Sequence, residues 1–410
     1  MSKFNVNQNR PLIENGNYYL PEKKYVSINS EDRDIIKFPD PSVFEIELPQ
    51  DYLNVQSIKL SSWSFPANYN VFSFVNGNIL MLFTLVDIYN PSDHGIEDPL
   101  LLAIYAALEA NKKEDYIFEI ETGFYNPIQM SRELENKMNE SVTKKIKKYF
   151  EENEHYKPLL DVFIEYSEFV VAYNSVSQKL NFGNRSSGFT FPNDSKFYLE
   201  QIVIRKGICR INPRELPSFA NWGLPYYLGF TRCPSISLKA KEVSDYRFYY
   251  GDALSRGDNG IWITPSFPGA SVYYIQTALK INFMGPAYIY MELDCGTSLN
   301  CIDETYPYNL SKFTQETNQT NGEVNASFAK IPVPTTPLSQ WFDNDMQPYK
   351  WFEPPAERIR RLKIKFRYHN GTLVDFGSFD YSFMLEFSLF NPQIPRNSNF
   401  SKNSTVSNFN

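Results

Sequence analysis

The sequence predicts an all-β protein of the jelly-roll sandwich class that carries a helical insertion, and three observations lead to this prediction. Short segments in which apolar and polar residues alternate recur along the chain, as in strands with one buried face. The 410 residues include 33 Phe and 28 Tyr, which favour strands, and the 27 Pro against 18 Gly indicate many rigid turns. One long segment instead has apolar residues at helical spacing. The pattern fits either one elaborated sandwich or two tandem sandwiches.

Two polar, Asn-rich ends flank a strand-rich body. Residues 1–23 and 392–410 lack periodicity, so we predict an N-terminal arm and a C-terminal tail that are either attachment segments, ordered only against a partner, or disordered. Residues 24–250 are predicted to form the jelly-roll sandwich with its helical insertion. Residues 251–391 supply the remaining strands, either in the same sandwich or in a second lobe. The turn-rich segment 251–270 is the predicted boundary.

Strands are predicted wherever the alternation is regular. In chain order they cover residues 25–29, 43–48, 55–65, 79–86, 115–121, 161–173, 179–182, 198–205, 272–283, 287–294, 358–368 and 380–390. Asn370 and Gly371 form a dipeptide that is preferred in tight turns, and they stand between the last two of these segments. The last two strands are therefore predicted to form a hairpin.

Residues 125–156 break the strand pattern. Asn126 is a candidate N-cap and Pro127 suits the first helical position. Apolar residues follow at roughly helical spacing, namely Ile128, Leu134, Met138, Val142, Ile146 and Phe150. The sequence therefore predicts a helix over about residues 126–154, and a second, shorter helix within 96–113.

The sequence contains no recognisable local motif for catalysis, a cofactor or a metal. The three histidines lie outside any nucleophile motif, and nucleotide-binding loops and zinc-protease motifs are missing. The four cysteines are too few and too irregularly spaced for a disulfide framework, and we interpret them as reduced thiols. We therefore expect a non-enzymatic protein with no catalytic, cofactor-binding or metal-binding residues.

Charge and hydropathy restrict the partners further. The net charge is −7 and the pI is near 5.3, which disfavours a general nucleic-acid coat. No stretch approaches the ~20 uncharged apolar residues that a membrane span needs, and the first residues show no apolar leader. We expect a cytosol-like compartment.

A row of basic residues is the clearest charge pattern in the chain. Arg361, Lys363, Lys365 and Arg367 alternate with apolar residues, which places four positive charges on one strand face. Nucleic acid is one candidate partner for this row. An acidic protein surface, or a sheet edge that lysines protect from strand addition, is favoured over it in an acidic chain.

Two aromatic segments are candidate contact sites. Trp341, Phe342, Trp351 and Phe352 lie in residues 339–358, which form either a partner contact or a cap folded on the protein's own core. Tyr288, Tyr290, Glu292 and Asp294 share one strand face, and this face is either a sugar-binding surface or an ordinary polar sheet face.

The acidic-basic-acidic triplet Asp32-Arg33-Asp34 resembles a piece of catalytic chemistry, but the sequence supplies it with no nucleophile or metal partner. We predict instead that Arg33 makes local ion pairs and backbone hydrogen bonds that fix this loop. Pro39 and Pro41 then keep the chain extended before the next strand.

The segment from residue 25 to 72 resembles the N-terminal signature of minor capsid proteins of nucleocytoplasmic large DNA viruses, the giant and algal virus jelly-roll family. The matching residues are Ser30, Asp32, Arg33, Asp34, Pro39, Phe44, Leu48, Pro49, Val55, Ser57, Ile58, Leu60 and Pro66. Further similar blocks follow in order up to about residue 390: "ETGFYNP", "WGLPYYLGF", "AYIYMELD", "SFAKIPV" and the stretch from "RRLKIKF" to "SFMLEF". The sequence departs from the family pattern at 139–157 and 306–325.

This resemblance implies a structural protein of the virion that is assembled in the host cytoplasm. Its jelly-roll core would pack beneath or between the major-capsid capsomers of an icosahedral shell. The implied partners are the major capsid protein and other minor capsid proteins. No catalytic residue is implied. A carbohydrate- or receptor-binding sandwich of the virion is the alternative that the Tyr288 face leaves open.

Overall fold

The computed structural model describes residues 19–66, 71–74, 76–206, 222–240, 263–295, 327–333, 340–343, 348–369 and 373–392. Most of the predicted arm 1–23 and nearly all of the predicted tail 392–410 lie outside these residues, as do Asn370 and Gly371. Residues 19–23 and 392 belong to strands instead.

The described elements include fifteen strands and four α-helices. In chain order they are β1 (Tyr19–Asn29), β2 (Val43–Pro66), β3 (Leu80–Leu85), α1 (Pro99–Ala110), β4 (Tyr116–Glu119), α2 (Pro127–Glu152), β5 (Phe169–Asn174), β6 (Lys179–Asn184), β7 (Phe189–Phe191), α3 (Ser195–Lys206), α4 (Leu224–Leu228), β8 (Ser235–Ile236), β9 (Leu238–Lys239), β10 (Tyr273–Gln276), β11 (Tyr288–Asp294), β12 (Ala329–Pro332), β13 (Gln340–Asp343), β14 (Tyr349–Arg367) and β15 (Ser382–Pro392).

The chain divides into two compact units. The first unit combines Met1–Tyr69 with Pro286–Asn410, and the second unit is the contiguous stretch Asn70–Gly285. This nested arrangement differs from the predicted division at 251–270. A turn-rich segment marks a loop, but it does not show that a later part of the chain returns to pair with the first strands.

The first unit is built on one antiparallel sheet of seven strands. Its order is β1-β15-β2-β14-β11-β12, and β13 also pairs with β2. The predicted strands 43–48 and 55–65 are a single 24-residue strand, β2. The predicted hairpin between 358–368 and 380–390 is wrong, because β2 lies between β14 and β15.

An aromatic cluster holds the core of the first unit together. Phe65 of β2 is fully buried, and its ring centroid lies 5.2 Å from that of Phe366 and 6.0 Å from that of Phe376. Tyr381, just before β15, completes the cluster at 5.0 Å from Phe65. Contacts of this kind join β2 to the C-terminal strands, so residues far apart in sequence share one core.

The second unit contains two antiparallel four-stranded sheets and the helices. The sheet orders are β5-β6-β10-β9 and β4-β3-β7-β8. Phe83 of β3 is a hub of its core, with ring centroids of Tyr116 and Phe169 each 5.1 Å away. The two units together confirm the all-β class with a helical insertion, since the sheets are antiparallel and the strands outnumber the helices among the described elements.

The long predicted helix is present as α2, and a complete capping box starts it. The Asn126 side-chain oxygen accepts from the Gln129 amide at 2.8 Å, and the Gln129 side-chain oxygen accepts from the Asn126 amide at 3.1 Å. One face of α2 is buried, including Leu134, Met138 and Val142 as predicted. The shorter helix predicted within 96–113 is α1, and Asp98 caps it by accepting from the Leu100 amide at 2.9 Å.

The predicted strand 198–205 is wrong, because these residues belong to helix α3. Asp194 precedes the helix and accepts a hydrogen bond from the Lys196 amide at 2.9 Å. An Asp in this position is a helix start signal. The β-branched and aromatic residues of this segment led to the strand prediction in spite of this helix signal. Strand propensity depends on the neighbouring strands with which a segment pairs, so it is weak evidence by itself.

Glu386 of β15 joins β1 to the sheet and gives the first unit an acid-sensitive contact. Its carboxylate accepts from the Tyr25 hydroxyl at 3.0 Å and pairs with Lys23 at 2.8 Å. Burial alone would raise the pKa of Glu386, but these two hydrogen bonds outweigh it and hold the pKa below its ordinary value.

Because the folded-state pKa of Glu386 is lowered, its stabilisation is present above the unfolded pKa of about 4.3 and is lost as the pH falls through the folded value. We expect Glu386→Gln to cost about 1 kcal/mol of unfolding free energy at pH 7 and much less near pH 3. Urea unfolding at both pH values tests this. Glu22→Gln is the control, since Glu22 pairs with Lys24 in a more exposed position; equal losses for Glu386→Gln at both pH values would contradict the prediction.

Candidate functional site

Residues 30–42 form a loop that we call the braced loop. Arg33 spans it by donating to three backbone carbonyls, those of Ser30 at 2.7 Å, Phe38 at 3.1 Å and Pro39 at 3.2 Å. The predicted backbone hydrogen bonds of Arg33 are therefore present. A planar guanidinium with donors in a fixed fork suits this task better than an ammonium does.

The two flanking carboxylates bind backbone and side-chain amides rather than Arg33. Asp34 accepts from the backbone amides of Ile36 at 3.0 Å and Lys37 at 3.1 Å, so its side chain closes an Asx turn. Asp32 accepts from the Asn29 side chain at 3.3 Å. Among the described residues, Arg33 forms no ion pair within 4 Å of either carboxylate, so this structure differs from the predicted local ion pairs.

The braced loop is fastened to the chain just before β15. The Ser30 amide donates to the Tyr381 carbonyl at 2.9 Å, and the Tyr381 amide donates to the Ser30 hydroxyl at 3.0 Å. The Ser30 hydroxyl donates in turn to Asp380 at 2.9 Å, and the Tyr381 hydroxyl donates to the Pro41 carbonyl. Burial raises the pKa of Tyr381 well above its ordinary value, so this hydroxyl stays protonated as a donor.

The basic row lies on β14, in the interior of its sheet. β14 pairs with β2 on one side and β11 on the other, so the interpretation as a protected sheet edge is wrong. Arg361 pairs with Glu45 at 2.9 Å and Glu47 at 3.1 Å, both on β2. Lys363 stands opposite Glu45 and, on its other side, Asp294.

Glu292 of β11 neutralises the other end of the basic row. It pairs with Lys365 at 3.3 Å and with Arg367 at 2.8 Å, and all three side chains are largely shielded from solvent. Acidic residues of the same sheet thus accompany the positive charges, so a separate acidic partner is not required to balance them. A shallow cleft of about 560 Å³ lies beside Arg361 and Lys363, and both signs of charge line it.

Removing Glu292 is expected to destabilise the sheet through its two cationic neighbours. Glu292→Ala leaves Lys365 and Arg367 side by side without their anion, and we expect a loss of about 1 kcal/mol in unfolding free energy that shrinks as salt is added. Denaturant titrations at low and high salt measure it. Glu47→Ala is the matched control, because Arg361 keeps Glu45; a loss as large as that of Glu292→Ala would contradict the prediction.

The candidate sugar-binding face is largely occupied by the protein itself. Tyr290 is only 3% exposed, and its ring lies 5.6 Å from Tyr288 and 6.1 Å from His369. The Lys330 ammonium sits 3.8 Å from the Tyr288 ring centroid. With Glu292 engaged as well, the aromatic and acidic groups that a sugar would need already have partners within the sheet.

The aromatic candidates differ in where they point. Trp351 is 50% exposed whereas Phe352, the next residue of β14, is 6% exposed and belongs to the core of the first unit. Phe352 is therefore a residue of this core, and Trp351 is the more exposed of the two candidates. Trp341 and Phe342 lie on β13, opposite Phe65 and Ser64 of β2. The structure describes the backbone but not the side chains of these two residues.

The second unit holds a buried carboxylate that the sequence pattern does not reveal. Glu168 is 9% exposed and lines a cavity of about 130 Å³ together with Tyr89, Tyr166 and Phe267. Burial raises the pKa of Glu168, against the opposing effects of a hydrogen bond from Ser266 and the charge of Arg185. Only the fold creates this burial, so the sequence contains no signal that could have found it.

Two kinds of site are missing from the parts of the chain that the structure describes. Within them, no group of three or more His, Cys, Asp or Glu side chains is placed to hold a metal ion. None of the helices in those parts has the length and apolar character needed to cross a membrane.

Comparison with known proteins gives similarities of structure only. No protein-family model matches the chain, and no curated protein matches its sequence. The mavirus penton protein, known from a crystal structure, is 10% identical in sequence to this chain, and the two structures align with a TM-score of 0.34. The alignment covers 91% of this chain and 99% of the penton protein chain. A chain from the cryo-EM structure of the Sputnik virophage is 11% identical in sequence and aligns with a TM-score of 0.37. This alignment covers 90% of this chain and 98% of the virophage chain. At these identities and TM-scores the similarity does not assign the chain to a family.

Proposed function

We propose that this chain is a structural minor capsid protein of a large icosahedral DNA virus. In this role it binds major-capsid capsomers, from within or between them, and stabilises the shell without catalysing a reaction. Its partners are the major capsid protein and other minor capsid proteins, and it is located in the virion after assembly in the host cytoplasm.

One observation carries the proposal. Four of the sequence blocks that resemble the minor capsid family, at 25–72, 287–294, 327–333 and 360–387, supply strands to a single sheet. The strands they contribute to are β1, β2, β11, β12, β14 and β15. Short chance matches have no reason to lie on neighbouring strands, whereas the signature of a fold does. The placement of these four blocks on one sheet therefore supports a family relationship behind the resemblance.

The polar groups of the first unit support a structural role. Arg33 binds carbonyls of its own loop, and Arg361, Lys365 and Arg367 bind carboxylates of the neighbouring strands. Such groups hold a sheet together. What the sheet offers to a partner is exposed apolar surface, including Tyr349 and Trp351 on β14, of the aromatic kind that is enriched at protein interfaces.

The test is quantitative mass spectrometry of purified particles of the virus that encodes the chain. We expect the chain at a fixed ratio to the major capsid protein through successive density gradients. Particles made without it should lose their contents at lower temperature than wild-type particles. Recovery of the chain only in soluble host extract, never in gradient-purified particles, would overturn the proposal.

The carbohydrate- or receptor-binding alternative depends on Tyr288, Tyr290, Glu292 and Asp294. The burial of Tyr290 and the two ion pairs of Glu292 go against it. Glycan-array binding that Tyr288→Ala abolishes, in a variant that unfolds at the wild-type temperature, would reverse this preference.

A further inference from the structure

The tip of the braced loop carries two exposed isoleucines. Ile36 is 96% exposed and the adjacent Ile35 is 60% exposed. Single exposed apolar residues are common on protein surfaces. Two consecutive β-branched residues at a loop tip, one of them almost fully in solvent, are different, because turns normally place Gly, Asn, Asp or Ser there.

The loop holds these isoleucines in a fixed position. The Ile36 amide donates to the Asp34 carboxylate, and the Phe38 amide donates to the Asp34 carbonyl at 2.7 Å. Arg33 closes the loop by donating to the carbonyls of Ser30, Phe38 and Pro39. A loop that is already ordered loses little conformational entropy when it binds. The bracing by Arg33 and Asp34 therefore presents Ile35 and Ile36 in a conformation ready for a partner.

Charges around the tip indicate the partner's chemistry. The loop contains four carboxylates, Glu31, Asp32, Asp34 and Asp40, against two cations. The cations are Arg33, which binds backbone carbonyls, and Lys37, which lies 5.0 Å from the ring centroid of its neighbour Phe38, and the net formal charge of the loop is −2. An apolar tip with an acidic surround is complementary to an apolar pocket with a basic rim.

We propose that Ile35 and Ile36 form an anchor that inserts into an apolar, basic-rimmed pocket on a second protein chain. The proposal deepens the proposed function and rests on it in that the second chain is a neighbour in the particle. A membrane is disfavoured, because anionic lipid surfaces attract basic rather than acidic segments.

The first experiment replaces residue 36 of the full chain with the photo-crosslinking amino acid p-benzoylphenylalanine in infected cells. The control places the same amino acid at Val176, which is 75% exposed in the second unit. We expect irradiation to yield one protein adduct from position 36 and not from position 176, with the crosslinked peptide apolar and next to Lys or Arg. No adduct, an adduct to lipid only, or the same adducts from both positions would overturn the anchor.

The second experiment follows the double variant Ile35→Ser/Ile36→Ser into particles. Because both side chains are exposed, its unfolding temperature should equal that of the wild type, which a thermal scan checks. We expect its incorporation to fall on the order of tenfold or more, while Val176→Ser is incorporated normally. Normal incorporation of the double variant would overturn the anchor. If the wild-type chain itself is absent from particles, the proposed function fails, and the crosslinking result still decides on the anchor.

Discussion

Phe352→Ala is expected to lower the free energy of unfolding by about 3 kcal/mol, whereas Trp351→Ala at the neighbouring position should change it by less than about 1 kcal/mol. The two side chains lie on opposite faces of β14. Phe352 packs into the core of the first unit, so truncation leaves a cavity, while Trp351 is half in solvent. The larger aromatic ring should thus have the smaller effect.

Urea unfolding of the two single variants measures this difference, and Phe352→Leu should recover more than half of the lost stability because it refills most of the cavity. Trp351→Ala serves as the matched control, since it removes an aromatic side chain from the same strand. Comparable losses for Trp351→Ala and Phe352→Ala would show that β14 does not have one buried and one exposed face at these positions.

Arg33→Ala is expected to cost about 2 kcal/mol of unfolding free energy. It removes three hydrogen bonds from a charged donor, to Ser30, Phe38 and Pro39, and leaves the braced loop without its closing contact. The effect should appear as lower stability and as poorer incorporation into particles. No catalytic activity should be lost with it.

Lys37→Ala is the control for Arg33→Ala, because Lys37 is an exposed cation of the same loop whose ammonium lies over the Phe38 ring. We expect a change below about 0.5 kcal/mol for it. Arg33→Lys should fall between the two, since one ammonium cannot reach three carbonyls in the geometry of a planar fork. Amide hydrogen exchange at Phe38 gives a local readout. Unchanged protection in Arg33→Ala would contradict the bracing role.

Local signals were enough to predict α2 and most strands. Asn126 and Pro127 mark the helix start by chemistry that acts within one turn, and the structure shows that chemistry in the capping box. The pairing of strands was not predictable in this way. Asn370 and Gly371 favoured a hairpin, but β2 pairs with both β14 and β15, and such contacts leave no local trace in the sequence.

The candidate sites show the same limit. The alternation of Arg361, Lys363, Lys365 and Arg367 correctly placed these charges on one face, because strand period is a local property. Their acidic partners on β2 and β11 come from strands that the sequence did not show to be neighbours. The exposure of Ile35 and Ile36 was equally unpredictable from the sequence, since apolar residues beside a charged triplet are normally expected to turn inward.

The position of β2 between β14 and β15 has a consequence for synthesis on the ribosome. β2 ends at Pro66, and its partners β13, β14 and β15 begin only at Gln340, Tyr349 and Ser382, whereas the second unit is complete at Gly285. Pairings this distant in sequence form slowly. The later-starting second unit can therefore fold first, while β1 and β2 await their C-terminal partners with unpaired backbone edges and uncovered apolar faces. Translation thus exposes the first unit to aggregation for longest, and chaperone dependence should be concentrated in its first strands.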